Sequence, residues 1–346
     1  MSYQKGPQMI QGHGDDLYLY KDYPIHCNFS SNVHYNIRHE NLFNHLNLCW
    51  SDCCSYPEPL PFTMEKELAG HLGIRPDETC ITNGATEAIY LIAQAFSSRK
   101  SGILLPTFSE YADACRLHGH KIVPIYYSGR LPSDVDMIWL CNPNNPTGET
   151  RDFSQVQEWI EKNPSILFII DQSYEHFTNR PILSPQKAVA YPNVIQIHSM
   201  TKSAALPGLR LGYVTANPDL IRQINLRRIP WSVNSMALEA FHYILGHPEE
   251  FLFDPTPLIE ECQRVASRLT SIPSIEVWPS HTHILLSRLR NGTASALKDY
   301  LVKEHGLLIR DAGNFAGLDN HYFRICIQEK KENDQLIDAI KEWIEL

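Results

Sequence analysis

One lysine, Lys202, stands in a run of small polar residues between two apolar segments, and its surroundings suit covalent chemistry. A lysine amine is nucleophilic only when uncharged, so an enzyme must lower its pKa with nearby cations or by desolvation, or hold it as an imine. Arg210 is a candidate for the neighbouring cation. The hydroxyls of Ser199, Thr201 and Ser203, with Arg210, could bind a phosphate dianion through charge-assisted hydrogen bonds. A phosphate-bearing aldehyde fits both parts of this pattern.

Two other interpretations of this stretch are open. A surface loop can contain a serine, a lysine and an arginine without any function. The spacing Ser199-x-x-Lys202 also occurs in serine β-lactamases, but the S-D-N and K-T-G sequences that accompany it there do not occur downstream. The case for Lys202 therefore depends on residues elsewhere in the chain.

Two segments upstream of Lys202 end apolar runs with polar side chains. The segment CNPNNPTG, which contains Asn145, follows the run Met137 to Leu140. The segment DQSY, which begins at Asp171 and ends at Tyr174, follows a second apolar run. The pattern places Asp171 at the end of a strand that we expect to be buried.

Together, the three segments resemble the fold-type I pyridoxal-phosphate enzymes, the class I and II aminotransferase superfamily. The resemblance implies that pyridoxal 5'-phosphate is the cofactor and that Lys202 binds it covalently. It also implies that Asn145 and Tyr174 hydrogen-bond the phenolic oxygen and that Asp171 pairs with the pyridine nitrogen. A carboxylate beside that nitrogen keeps it protonated, which makes the ring an electron sink. These four residues are the predicted catalytic residues.

Further cofactor contacts follow from the same resemblance. A helix predicted after Asn83 would present Ala85 and Thr86 to the cofactor phosphate, because helix N-termini offer unpaired N–H groups and a positive dipole end. Simple helix capping by Thr86-Glu87 is the alternative. Family position makes Phe108 the aromatic residue that stacks on the pyridine ring, and a buried core phenylalanine is the alternative.

Tyr56 stands in a Tyr-Pro sequence, which by itself indicates only a turn. In related aminotransferases, the tyrosine of this segment reaches across a dimer interface to the partner's cofactor phosphate. The resemblance therefore implies a homodimer with active sites shared across the interface, in which Tyr56 completes the neighbouring site together with Ser199, Thr201 and Arg210.

The predicted substrate-binding residues lie near the two ends of the chain. His13, Gly14 and Asn32 belong to a polar arm that resembles the opening elements of threonine-phosphate decarboxylases. Arg310 and Arg324 each stand in an apolar, strand-like segment, and arginine is rarely buried without an anionic partner. The resemblance implies that they bind the carboxylate or phosphate of a small phosphorylated amino acid. A structural ion pair is the alternative.

Apolar strand-like segments alternate with helical patterns, which predicts an α/β fold with a mostly parallel sheet and helices on both faces. The functional segments then follow the carboxyl ends of strands, where such sheets bind ligands. The resemblance implies an aspartate-aminotransferase-like large domain and a smaller α+β C-terminal domain. We predict an N-terminal arm over residues 1–35 that packs with the small domain, a large domain over residues 36–235 and a small domain over residues 236–346.

Composition narrows the class of protein. The chain has 346 residues, of which 43% are hydrophobic, enough for large cores. The net charge of −9 argues against nucleic acid as a partner. Nine cysteines without a C-x-x-C pattern, and histidines without an H-E-x-x-H pattern, predict no metal site. The start lacks a secretory signal and no apolar run is long enough for a membrane span, so we expect a cytoplasmic protein that does not bind membranes.

Within the superfamily, the sequence is similar to histidinol-phosphate aminotransferase and threonine-phosphate decarboxylase. Local sequences favour the decarboxylase: His13-Gly14, NFSSN from Asn28, FSEY from Phe108, PGLR from Pro207, PWSVN from Pro230 and RDAGNFAGL from Arg310. The implied reaction converts O-phospho-L-threonine to aminopropanol phosphate, a step in assembling the cobalamin nucleotide loop. An aminotransferase is the alternative. A non-catalytic binding protein with this fold is a third interpretation, against which the four predicted catalytic residues weigh.

Overall fold

The apolar runs of the sequence form three sheets in the computed structural model, which describes residues 17–126 and 131–346. In chain order, the strands are β1 Cys27–Asn28, β2 Thr79–Thr82, β3 Lys100–Leu105, β4 Lys121–Tyr126, β5 Met137–Cys141, β6 Leu167–Asp171, β7 Val194–Ser199, β8 Gly212–Ala216, β9 Ile275–Val277, β10 Ile284–Leu289, β11 Leu307–Leu308, β12 Arg310–Asp311 and β13 Tyr322–Cys326. The α-helices are α1 Glu40–Leu48, α2 Phe62–Leu72, α3 Gly84–Ala95, α4 Glu110–Leu117, α5 Phe153–Lys162, α6 Pro185–Ala188, α7 Met200–Ser203, α8 Pro218–Asn225, α9 Ser235–Gly246, α10 Thr256–Thr270, α11 Ala294–His305 and α12 Lys330–Glu345. None of the described helices combines the length and the apolar composition needed to cross a membrane.

The largest sheet has seven strands in the order β2-β8-β7-β6-β5-β3-β4. Strands β3 to β7 pair in parallel with their neighbours, whereas β8 runs antiparallel to β2 and β7. The prediction of a mostly parallel sheet is confirmed. Because parallel strands end at the same edge, the register places Cys141 at the end of β5 beside Asp171 at the end of β6.

Helices cover both faces of this sheet, which explains the continuous apolar runs of its central strands. In β5, Ile138 belongs to a buried cluster with Ile160 of α5. The next residue, Trp139, points to the opposite face, as the two-residue repeat of a strand requires, and belongs to a second cluster with Ile92 of α3. The two buried faces hold the strand ends, and the side chains that follow them, in fixed positions.

A four-stranded antiparallel sheet, in the order β12-β13-β10-β9, forms another core with α10, α11 and α12. This mixture of helices and antiparallel strands agrees with the smaller α+β unit predicted for the C-terminal part. Strand β1 pairs in parallel with β11, and the fully buried Phe29 belongs to the same core. The predicted boundaries after residues 35 and 235 remain predictions.

Helix α9 packs against the N-terminal helices of the chain. Its residues Ala240 and Ile244 share a buried cluster with Leu42 and Leu46 of α1. Sequence patterns did not indicate α1, because only these two residues of the helix are buried and most of its other positions are polar. The contact fixes α1 to the body of the protein.

Candidate active site

A cavity of about 300 Å³ lies at the carboxyl ends of β5, β6 and β7. Among the residues that line it are most of those predicted from the sequence: Asn32, Ala85, Thr86, Phe108, Asn145, Asp171, Tyr174, Ser199, Thr201, Lys202, Arg210, Arg310 and Arg324. Tyr56 does not line it, and His13 and Gly14 lie outside the described residues. Segments that are far apart in the sequence thus meet in one cavity.

Lys202 lies in the short helix α7, which follows β7 directly. Desolvation of the amine, with the positive charges of Arg324 and Arg210, lowers the pKa of Lys202 to about 8. A substantial fraction of the amine is therefore uncharged near neutral pH. Arg210 is thus a neighbouring cation, as predicted, and Arg324 is a second one that contributes more to the pKa shift.

One end of the cavity is shaped to hold a small anion. The hydroxyls of Ser199 and Thr201 lie 2.8 Å apart, and Arg210 lies over Gly84 at the start of α3. A Cβ atom added at Gly84 would lie 2.6 Å from an Nη atom of Arg210, and one at Gly212 would lie 2.6 Å from the backbone nitrogen of Ala85. Glycine is therefore required at both positions for the arginine and the helix N-terminus to come this close. Two hydroxyls, a guanidinium and a helix N-terminus suit a phosphate dianion.

Asp171 is buried at the end of β6, and two donors fix its carboxylate. The hydroxyl of Tyr111 donates to Oδ2 at 2.7 Å, and the backbone N–H of Ser173 donates to Oδ1 at 2.9 Å. Burial and the nearby Asp171 raise the pKa of Tyr111 far above its usual range, so this phenol stays protonated and donates. Tyr111 was not among the predicted site residues, although it stands in the FSEY segment of Phe108.

The hydrogen bonds of Asn145 and Tyr174 leave a donor of each available to a ligand. Arg324 donates to Oδ1 of Asn145 at 2.7 Å and to the backbone carbonyl oxygen of Ser30. Because the amide oxygen of Asn145 is engaged, its NH₂ group is the donor left for the cavity. The Tyr174 hydroxyl accepts a hydrogen bond from the side chain of Asn32, which leaves its own proton to donate. Two donors suit the phenolic oxygen of the predicted cofactor.

Arg310 and Arg324 stand directly opposite each other on β12 and β13. Their exposed fractions are 4% and 1%. Like charges at facing positions of neighbouring strands destabilise a sheet, so the pair is suited to a site that an anion occupies. Arg310 donates to Oδ1 of Asn314 at 2.8 Å, and its guanidinium lies 5.5 Å from the ring centre of Phe315.

The two predicted aromatic contacts have different positions. Phe108 lies in the cavity wall, with its ring at 84° to that of Tyr111 and 5.9 Å between the ring centres. Tyr56 is 85% exposed, and its ring packs against that of Trp231 at 5.2 Å. Tyr56 is thus available to a second molecule, and its role across an interface stays a prediction.

The chain belongs to the aminotransferase class I and II family, whose sequence model matches residues 54–340. It is 28% identical over 309 residues to histidinol-phosphate aminotransferase of Thermoanaerobacter pseudethanolicus, covering 83% of this chain and 84% of that one. It is 28% identical over 307 residues to threonine-phosphate decarboxylase of Salmonella typhimurium, covering 84% of each. The crystal structure of L-threonine-O-3-phosphate decarboxylase from Porphyromonas gingivalis superposes with a TM-score of 0.90 at 35% identity, over 92% of this chain and all of that one, 100%.

The predicted family and fold class are therefore confirmed, and the protein is a pyridoxal-phosphate-dependent enzyme of this family. The residues of the cavity fit the cofactor. Around the cavity lie a lysine with a lowered pKa, a group of residues suited to bind a phosphate, a fixed carboxylate and two hydrogen-bond donors.

Proposed function

We infer that the protein decarboxylates O-phospho-L-threonine to aminopropanol phosphate. The observation that carries this proposal is the facing pair Arg310 and Arg324, buried at the cavity of Lys202, because the substrate has two anionic groups to pair with them. The 35% identity to the decarboxylase of Porphyromonas gingivalis over 92% of the chain supports it. The product would serve the assembly of the cobalamin nucleotide loop.

The four predicted catalytic residues would hold the cofactor at defined atoms. Bound pyridoxal 5'-phosphate supplies an aldehyde that condenses with amines and a ring that takes up the electron pair of a broken bond at the α-carbon. Asp171 would accept the hydrogen bond of the ring nitrogen, while Asn145 and Tyr174 would donate to the phenolic oxygen. The phosphate would lie among Ser199, Thr201, Arg210 and the N-terminus of α3, with Ala85 and Thr86.

Lys202 would also return a proton to the α-carbon after carbon dioxide has left. An amine with a pKa of about 8 both binds and releases a proton near neutral pH, as a general acid–base must. Tyr174 and Asn145 line the same cavity, so the amine and the groups that hold the cofactor share one desolvated space.

The way in which the substrate is bound would decide which of the two reactions of this family occurs. If Arg310, with the arm residues His13 and Asn32, binds the phosphate, the carboxylate is the group left to depart as carbon dioxide. If an arginine instead fixed the carboxylate in an orientation that prevents its departure, the α-proton would be removed and transamination would follow. The 28% identity to histidinol-phosphate aminotransferases supports this second candidate.

Two parallel assays distinguish the candidates. The purified holoenzyme is given O-phospho-L-threonine, and released carbon dioxide is measured. In parallel it is given glutamate with imidazole-acetol phosphate, and 2-oxoglutarate is measured. We expect carbon dioxide in the first assay and little 2-oxoglutarate in the second. The reverse pattern would replace the decarboxylase with the aminotransferase, and inactivity in both would contradict both candidates.

The lowered pKa of Lys202 predicts the pH dependence of cofactor binding. Only the uncharged amine attacks, so the rate of covalent cofactor attachment to cofactor-free protein should rise with pH and level off above about 8. At pH 7 about a tenth of the amine is uncharged, against about one part in three thousand for an unperturbed lysine. The measurement is the attachment rate, followed by visible absorbance between pH 6 and 10.

Arg324→Gln should move this pH profile upward, since it removes one of the charges that lower the pKa. Arg288→Gln is the matched control, because Arg288 stands on β10 of the same sheet and pairs with Glu276 and Asp319. An unchanged profile in Arg324→Gln would contradict the assignment of the shift.

If the protein is the predicted homodimer with shared sites, subunits damaged at different residues should complement each other. If Tyr56 serves the neighbouring site, a hybrid of Tyr56→Phe and Lys202→Ala subunits contains one doubly damaged site and one intact site. Mixing the two inactive or weakened variants should then restore part of the activity, measured as carbon dioxide released per subunit. If Tyr56 serves its own subunit, mixing gives only the activity of the diluted Tyr56→Phe protein.

A further inference from the structure

Three side chains of metal-ligand type meet where α1 packs against α9. Within residues 17–126 and 131–346, His45, Cys49 and Glu239 form the one group of three such residues whose ligand atoms all lie within 4.8 Å of one another. None of the three lines the cavity of Lys202. They therefore form a separate cluster, which we call the α1/α9 cluster.

The separations of the three atoms suit a shared ion. Nε2 of His45 lies 3.6 Å from Oε2 of Glu239 and 3.7 Å from Sγ of Cys49, and Sγ lies 3.9 Å from the same Oε2. Tetrahedral zinc has metal–ligand lengths of about 2.0–2.3 Å, which place two ligands about 3.3–3.6 Å apart. If the three separations shortened by about a few tenths of an ångström through small side-chain movements, all three atoms could bind one ion at their centre.

Hydrogen bonds to the sulfur of Cys49 link it to His45 and Glu239, but no direct hydrogen bond joins His45 to Glu239. A separation of 3.6 Å between Nε2 of His45 and Oε2 of Glu239 exceeds the usual range of about 2.7–3.2 Å. His242, a histidine of α9, makes an ordinary hydrogen bond to a carboxylate, because its Nδ1 lies 2.9 Å from Oε2 of Glu67. The His45–Glu239 separation is thus longer than that of the hydrogen-bonded pair His242 and Glu67 and closer to the spacing of two ligands of one ion.

The protein around the cluster holds the ligands in position. Cys49 directly follows the last residue of α1 and stands four residues after His45, which brings the two side chains together, and Glu239 projects from α9. The buried residues Leu42 and Leu46 of α1 fix the two helices together beneath them. The side chains of His45 and Glu239 are 29% and 34% exposed, so the cluster opens to solvent on one side. That opening leaves a fourth position for water.

We propose that His45, Cys49 and Glu239 bind a zinc ion that fixes α1 to α9. One nitrogen, one sulfur and one carboxylate oxygen are a donor set that zinc accepts, with water as the fourth ligand. On binding, the Cys49 thiol loses its proton to solvent and the thiolate coordinates the ion. Sequence patterns missed the site because Cys49 and Glu239 are 190 residues apart.

Zinc binding to the holoenzyme tests the proposal. The protein is treated with a chelator, dialysed into metal-free buffer and titrated with zinc chloride, and bound zinc is counted by elemental analysis after equilibrium dialysis. We expect about one ion per subunit and a rise in the thermal midpoint. Cys49→Ser and Glu239→Gln should each weaken binding at least about tenfold, since even loss of an outer partner of a ligand costs about 10–100-fold.

Matched variants and a second metal make the result specific. Cys53→Ser removes an exposed thiol one turn further along, and His242→Gln removes the comparison histidine, so both should bind zinc like the unaltered protein. Cobalt(II) should give a thiolate charge-transfer band in difference spectra that is lost in Cys49→Ser. The proposal is overturned if the holoenzyme binds no zinc, or if Cys49→Ser and Glu239→Gln bind it as tightly as the controls.

Discussion

Replacing Lys202 with alanine is expected to abolish turnover and covalent cofactor attachment while leaving the fold intact. The variant loses the nucleophilic amine and the group that transfers the proton, and a positioned general acid–base alone is worth about 10²–10⁴-fold in rate. The fold should survive because alanine removes an amine that is desolvated and lies near the like charges of Arg324 and Arg210. The measurements are kcat/KM on O-phospho-L-threonine and the cofactor retained on the polypeptide after borohydride reduction.

Lys162→Ala is the matched control for this experiment. Lys162 ends α5, is 69% exposed and pairs with Glu158 on the same helix, so its loss should change neither measurement. Thermal unfolding of both variants separates loss of chemistry from loss of fold. Undiminished turnover in Lys202→Ala would refute the assignment of Lys202 as the cofactor lysine.

Replacing Arg310 or Arg324 with lysine is expected to weaken substrate use while leaving cofactor attachment intact. Lysine keeps the charge but loses the planar fork of donors. Loss of a charged hydrogen bond costs about 1.5–3 kcal/mol, which is about one to two decades in kcat/KM. Arg324→Lys should have the larger effect, because Arg324 also donates to the side chain of Asn145.

Comparison of two substrates shows which group Arg310 binds. If Arg310 binds the phosphate, Arg310→Lys should reduce kcat/KM more for O-phospho-L-threonine than for L-threonine, whose side chain lacks the phosphate. Arg288→Lys, on strand β10 of the same sheet, is the control and should leave both values unchanged. Equal losses in kcat/KM on the two substrates would show that Arg310 does not bind the phosphate, and the proposed substrate would be abandoned.

Much of the fold could be predicted from the sequence because buried strands and helices have recognisable patterns of apolar residues. The runs that form β5 and β6 could be recognised, and Asp171 could be placed at the end of β6, since both strands are continuous apolar runs buried on two faces. The apolar repeat of the C-terminal segment predicts a helix only from Asp334 onward, whereas α12 begins at Lys330. Its first turn, Lys330 to Asn333, contains only polar residues, so the apolar repeat gives no signal there.

The sequence alone also determined which residue types follow the strand ends, and hence that Asn145, Asp171 and Lys202 would meet at one edge of the sheet, where the structure places them in one cavity. It did not determine how the side chains contact one another. The register that sets Arg310 opposite Arg324, the hydrogen bond from Tyr111 to Asp171 and the meeting of His45 with Glu239 each join residues from different elements. Such contacts depend on strand register and helix packing, which are decided by the fit of whole buried surfaces rather than by any local sequence pattern.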